Sequence, residues 1–224
     1  TWYKNGQIQS DQTLIYGYEQ NSILQDSGET GKTTHWFENG QKSAETNSFE
    51  GGRNGKSTSW YANGQMASEI HFKDDHLYGK YTTWYENGNK KEVGNYTRGN
   101  HFGEKEGKCT EWYDNGQIKS ENFYILNKDK FSGYKESMLN GKCTEWYENG
   151  QKKSEVNYKD DKKNGKWTWW YEDGQKKQEG NYKNDKKIGK WTWWYEDGQK
   201  SSEGNYKDDK NDGKYTKWYE DGQK

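Results

Sequence analysis

The chain has 224 residues, of which 26% are hydrophobic and 17% aromatic, with 13 Trp and 19 Tyr. So few aliphatic residues exclude a thick globular core, and the aromatic content with a net charge of −1 excludes simple disorder. The near-zero charge also argues against a nucleic-acid partner, and no apolar run reaches transmembrane length.

Thr1 to Leu14 reads as the second half of a β-hairpin, turning at Asn5-Gly6. An insertion follows over 15–30, carrying Ile23 and Leu24 among scarce aliphatics. From Gly31 the chain settles into copies of one unit. Gly-Lys stands five residues before an anchoring Trp, Thr two before it, and Gly four after it. The anchors Trp2, Trp36, Trp60, Trp84, Trp112, Trp146, Trp170, Trp194 and Trp218 are spaced by 34, 24, 24, 28, 34, 24, 24 and 24 residues. A period of this size marks a repeat array. Trp36 to Tyr96 spans three ordinary copies, the last with Glu92 one position early and Val93 in its place. After the step around His101 and Phe102, Trp112 opens a second block. Its insertion over 125–139 holds Ile125, Leu126, Phe131, Met138 and Leu139. Trp146 to Gly222 contains the most regular copies, and the chain ends on a strand and turn without return.

Each copy reads as a hairpin. An alternating run such as Lys166-Trp167-Thr168-Trp169-Trp170 leads into Asp173-Gly174, a dipeptide that favours a type I′ turn. A two-residue turn there pairs Trp170 with Lys177, Thr168 with Glu179, Trp167 with Gly180 and Gly165 with Tyr182. Volumes support this register: where the position three before the anchor is large its partner is Gly (Tyr81–Gly94, Trp167–Gly180, Trp191–Gly204), and where it is small the partner is not (Cys143–Val156). The Tyr column opposite Gly165 reads as rings laid over bare backbone. Side chains alternate across a strand, so Lys166, Thr168, Trp170 and Glu179 share one face and Trp167, Trp169, Tyr171 and Tyr182 the other. The expected fold is all-β, an elongated single-layer antiparallel sheet of tandem hairpins. Residues 1–224 form one array of about nine copies, the first and last incomplete, with insertions at 15–30 and 125–139.

No catalytic, cofactor or metal site is read. The histidines His35, His71, His76 and His101 lack ligand spacing, and recurring carboxylates such as Glu172, Glu179, Glu196 and Glu203 read as a pairing ladder rather than one acid/base site. The Asp-rich loops lack calcium-loop spacing. Cys109 and Cys143, at equivalent positions of neighbouring copies, lie roughly 10 Å apart and read as free thiols. Binding candidates are the aromatic patch Trp167, Trp169, Trp191 and Trp193, of which Trp169 and Trp193 are expected to stand exposed side by side while the rings otherwise serve as the sheet's own substitute core, and the insertion residues Ile23, Leu24, Ile125, Leu126, Phe131, Met138 and Leu139.

The pattern Gly-Lys-x-Thr-x-Trp-Tyr-Glu-Asn/Asp-Gly-Gln-Lys … Glu-Gly-x-Tyr resembles the MORN repeat, in its bacterial variant found in YwqK-family antitoxins of toxin–antitoxin pairs. The resemblance covers the chain apart from the two insertions. It implies a non-enzymatic hairpin repeat that binds or scaffolds a protein partner, in the antitoxin or immunity manner. Two other readings stand beside it. One is carbohydrate or cell-wall binding on the aromatic face. The other is head-to-tail self-association through the half-repeats at Thr1 and Lys224, giving a filament. The chain begins and ends inside repeats and reads as a piece of a longer protein, which leaves cytoplasm and bacterial surface both open.

Overall fold

A computed structural model describes residues 1–15, 30–97, 103–128 and 135–223. Nineteen strands lie among them, and the chain divides into two compact units, Thr1–Lys105 (with Lys135 and Glu136) and Glu106–Lys128 with Ser137–Lys224. The first unit holds β1 (Ser10–Ile15), β2 (Thr30–Trp36), β3 (Lys42–Phe49), β4 (Gly52–Trp60), β5 (Met66–Lys73), β6 (His76–Leu77), β7 (Gly79–Trp84), β8 (Lys90–Thr97) and β9 (Glu104–Lys105). The second holds β10 (Gly107–Trp112), β11 (Ile118–Lys128), the end of β12 (Lys135–Leu139), β13 (Gly141–Trp146), β14 (Lys152–Lys159), β15 (Lys162–Trp170), β16 (Lys176–Lys183), β17 (Lys186–Trp194), β18 (Lys200–Lys207) and β19 (Lys210–Lys217). The described pairings within each unit are antiparallel and join neighbours along the chain, as the successive registers from β13 to β19 show, with β5 also pairing β7 past the short β6 and β11 pairing β13 past β12.

The hairpin register holds where volume fixes it. Gly165 pairs with Tyr182, Trp167 with Gly180 and Thr168 with Glu179. Near the turn it departs from expectation: Trp170 pairs with Lys176, not Lys177, because the ladder shifts between Trp169 and Trp170. The turn is not type I′. Gly174 N donates to Tyr171 O at 3.0 Å and Tyr171 N to Gln175 O at 2.8 Å, leaving a three-residue loop. Gly174 has φ +88°, whereas Asp173 is not left-handed. This is a type I turn closed by a glycine bulge. Asp173 supports it by accepting Gln175 N at 2.9 Å.

The type I′ turns sit at the opposite end of the strands, between consecutive hairpins. Asp160-Asp161 has φ 51° and 60°, Asn184-Asp185 50° and 66°, and Asp208-Asp209 50° and 66°. Asp and Asn tolerate this region better than other side-chain-bearing residues. The second Asp of each turn reaches the preceding hairpin. Asp185 accepts Lys163 N at 2.8 Å and Asp209 accepts Lys187 N at 2.9 Å. At the other end, hydroxyls bridge successive copies: Tyr147 donates to Trp170 O at 2.8 Å, Tyr171 to Trp194 O at 2.9 Å and Tyr195 to Trp218 O at 2.9 Å. Successive copies are thus pinned at both ends of their strands.

A bulge between hairpins explains the Gly165 column. The β14–β15 ladder breaks between Val156 and Tyr158, and Gly165 takes φ +103°. A Cβ there would meet Asn157 at 3.7 Å rather than Tyr182, so backbone conformation, not a covering ring, requires the glycine. The core is a row along mid-strand. Trp191 is fully buried, and Tyr81, Cys109, Cys143, Val156 and Tyr182 are buried with it in their units. Cys109 and Cys143, joined in no disulfide, therefore serve as small packing residues.

Candidate binding face

One face of the second unit is a charge lattice. Glu179 accepts from Lys166 at 3.1 Å and Lys176 at 2.8 Å, Glu155 from Lys142 at 2.8 Å and Lys152 at 3.0 Å, and Glu203 from Lys190 and Lys200 at 2.8 Å each. The Lys190 and Lys200 hydrogen bonds hold the Glu203 carboxyl below its ordinary range. At Glu179 partial burial pushes the other way but loses to the bonds from Lys176 and Lys166. These carboxylates are consumed by the sheet's own pairing. Among the described residues, no three of His, Cys, Asp and Glu converge as a metal-ligand group.

The other face carries the aromatic rings. Trp191 lies 5.6 Å from Trp167, 5.0 Å from Tyr182 and 5.9 Å from Trp193, centroid to centroid. Being fully buried, Trp191 presents no ring to a ligand and drops out of the candidate patch. Trp167, Trp169 and Trp193 are half-buried. Lysines lie on the rings: Lys163 Nζ is 5.2 Å from both Trp167 and Tyr182, and Lys187 Nζ 4.7 Å from Trp191.

Strand register lines up one transverse row on this face: Glu145, Ser154, Trp169, Gln178, Trp193, Ser202 and Lys217 are successive cross-strand neighbours. Gln178 accepts Trp193 Nε1 at 2.9 Å. The neighbour of Trp169 on the corresponding side is Ser154, whose hydroxyl donates to Glu145 at 3.3 Å. Trp169 Nε1 is left buried without a hydrogen-bond partner. A groove of about 310 Å³ opens at this place, walled by Trp167, Trp169 and Tyr158 and also lined by Cys143, Val156 and Leu139. Asn122, Glu145, Ser154 and Lys163 supply polar groups. A larger hollow of about 520 Å³ in the first unit lies at Gly31 and Gly55, and recurs at Gly165 and Gly189 with about 320 Å³. That hollow repeats with the bulge and marks no special position. The groove beside Trp169 sits where the row departs from the repeat.

The groove brings Trp167, Trp169 and Leu139 together. Trp193 lies further along the row, and Ile125, Leu126 and Met138 do not line the groove. Ile125 is 40% exposed on β11, while Leu126, Met138 and Leu139 are half-buried. Ile23, Leu24 and Phe131 lie outside the described residues. Glu145, Ser154 and Tyr158 escaped sequence reasoning because their approach to Trp169 crosses between hairpins. Phe123, 42% exposed, also escaped it, although a signal existed. It stands opposite Lys108, where other copies place Asn47, Asn95, Asn157, Asn181 or Asn205 opposite their Lys and one places His71.

Among the described residues no helix is long and apolar enough to cross a membrane. The model of the MORN repeat variant matches residues 53–74, 77–97, 105–125, 139–160, 163–184 and 187–208, together more than half of the chain. No match was found among curated proteins. Among solved structures, a porin-like protein from Bacteroides uniformis ATCC 8492 aligns over 92% of this chain and 93% of its own at 11% identity, with a TM-score of 0.21. The TcdB2-TccC3-TEV structure aligns over 92% of this chain and 15% of its own at 13% identity, with a TM-score of 0.18. At these scores neither likeness bears on function. The sixfold match and the hairpins that carry it establish the family: this chain belongs to the MORN repeat variants.

Proposed function

We propose that the chain is a non-enzymatic binding scaffold that engages a protein partner through departures from its repeat in the second unit. The observation that carries this is Phe123. In the ordinary copy this position is an Asn, and Asn47 shows its use by donating to Lys56 O at 3.0 Å across the bulge. Phe123 forgoes that hydrogen bond and, with Ile125 two residues on, puts two exposed apolar side chains on one face of β11. A sheet with so few aliphatics gains nothing by exposing these two, whereas a partner that covers them removes their surface from water.

The MORN variant family supports a binding or scaffolding role, and an antitoxin- or immunity-type partner is the specific form we propose for it. The test is affinity capture from the source cells with the intact chain and with Phe123→Asp/Ile125→Asp. A partner retained by the first and lost from the second, whose toxicity on expression is relieved by this chain, supports the reading. Equal capture by both chains refutes the surface, and a captured partner with no toxicity refutes the antitoxin form.

A further inference from the structure

We propose that the groove over Ser154 is a saccharide subsite that takes one N-acetylated pyranose. Glu145 and Trp169 stand on β13 and β15, with the short Ser154 between them on β14. Two strand spacings separate their backbones by roughly 10 Å. The row therefore holds a gap with a carboxylate at one side and an indole at the other, wide enough for a six-membered ring.

The chemistry of the lining selects the occupant. Trp169 lines the groove and its Nε1 is a donor without a partner, so an occupant carrying a neutral acceptor suits it. Glu145, bonded by Ser154 at 3.3 Å and approached by Lys153 at 3.9 Å, keeps acceptor capacity for ligand hydroxyls. Cys143, Val156 and Leu139 add an apolar lining suited to a methyl group. Trp167 and Trp169, tilted 47° with centroids 5.9 Å apart, offer ring surface to the C–H face of a sugar. An acetamido group supplies carbonyl and methyl, and the pyranose supplies hydroxyls and C–H face. A quaternary ammonium fits poorly. Lys163 Nζ already lies 5.2 Å from Trp167, so like charges would meet, and the Trp169 N–H would still have no acceptor. Lys177, 5.1 Å from the Trp169 centroid, belongs to β16, on the other side of β15 from the groove strands.

This inference stands independently of the protein-partner reading, which rests on β11. The indole N–H resonance of Trp169, assigned with Trp169→Phe, is followed while the intact chain is titrated with methyl N-acetyl-β-glucosaminide, chitobiose and methyl β-glucoside. The expected result is saturable movement with the N-acetylated sugars and binding at least about fivefold weaker for the glucoside. Trp169→Phe, which keeps a ring and loses the donor, should weaken binding about tenfold, the worth of one net hydrogen bond, as read on neighbouring resonances. Ser154→Gln, which fills the gap and supplies the acceptor that Gln178 gives Trp193, should abolish it. No movement with either N-acetylated sugar, equal binding of the glucoside, or undiminished binding by Ser154→Gln overturns the assignment. Movement of the Trp169 resonance only with a protein partner overturns it in favour of a peptide carbonyl as the natural acceptor.

Discussion

A Cβ placed on Gly180 would lie 2.2 Å from Cδ2 of Trp191, and all three of its nearest atoms would belong to that ring. The ring covering Gly180 is therefore contributed by the following hairpin, although Trp167 is its paired residue within its own. Trp191 cannot retreat: it is fully buried against Trp167, Tyr182 and Trp193. Gly180→Ala should therefore overpack the sheet and cost about 3 kcal/mol. Gly204 provides the internal control. Its added Cβ would meet Tyr215 Cδ2 at 2.5 Å, but Tyr215 is 37% exposed and has room to move. Gly204→Ala should cost about 1 kcal/mol. Urea midpoints of the two variants compare them directly, and equal losses would show that Trp191 is not the tightly held ring.

Trp169 and Trp193 are a matched pair that differ in one neighbour. Gln178 satisfies the Trp193 indole, and Ser154 cannot do the same for Trp169. Ser154→Gln should raise stability by about 1 kcal/mol by giving a buried donor its acceptor, while Ser154→Ala should change it by less. If Gln and Ala at position 154 give the same urea midpoint, the Trp169 N–H is not stranded in the folded protein.

The inter-hairpin turns make a third prediction. Asp185 combines φ +66° with a carboxylate that accepts Lys163 N at 2.8 Å. Asp185→Ala loses both the tolerance and the bond and should cost about 2 kcal/mol. Asp185→Gly recovers the backbone alone, and Asp185→Asn retains an acceptor and tolerates the left-handed region. The expected order of thermal midpoints is Asp, Asn, Gly, Ala from highest to lowest. Ala equal to Gly would mean that backbone conformation contributes nothing at this turn.

What the sequence disclosed follows from these turns. Pairs within a hairpin were legible because both strands flank one short loop and a large side chain opposite glycine betrays the register, as for Trp167 and Gly180. Only the fraying next to the turn was missed, since Asp173-Gly174 serves a type I turn with a glycine bulge as readily as type I′, and the Asp173–Gln175 hydrogen bond decides between them. Pairs between hairpins were not legible. Lys159 to Asn164 reads as a polar loop, yet Asp160-Asp161 is a tight turn and the ladder then slips between Val156 and Tyr158. That slip puts Ser154 beside Trp169, and the equivalent slip between Glu179 and Asn181 puts Trp191 over Gly180, so the groove and the true core contact both lay beyond sequence arithmetic. Phe123 was the exception: an aromatic in an asparagine column is visible without coordinates, and was hidden only by counting the insertion from Ile125.

The charged face predicts how the protein responds to acid. Glu45 is held below its ordinary pKa of 4.5 by hydrogen bonds from Lys32 and Lys42, and Glu203 likewise by Lys190 and Lys200. A carboxyl whose pKa is lower folded than unfolded binds fewer protons when folded, so stability rises with pH between the two values. The contribution is complete above the unfolded value, about 4.3 in a model peptide, and is lost as pH falls through the lower folded values. Urea midpoints should therefore be flat from about pH 7 to 5 and fall below about pH 4.5. Lys190→Met/Lys200→Met, which leaves Glu203 without its partners, should lower stability near pH 7 and flatten the acid fall. The Lys groups are largely exposed, so about 0.5 M salt should reproduce part of the effect in the unaltered chain. A variant with the same acid slope as the parent would show that Glu203 titrates alike in folded and unfolded chains, and that its two lysines are neighbours without electrostatic consequence.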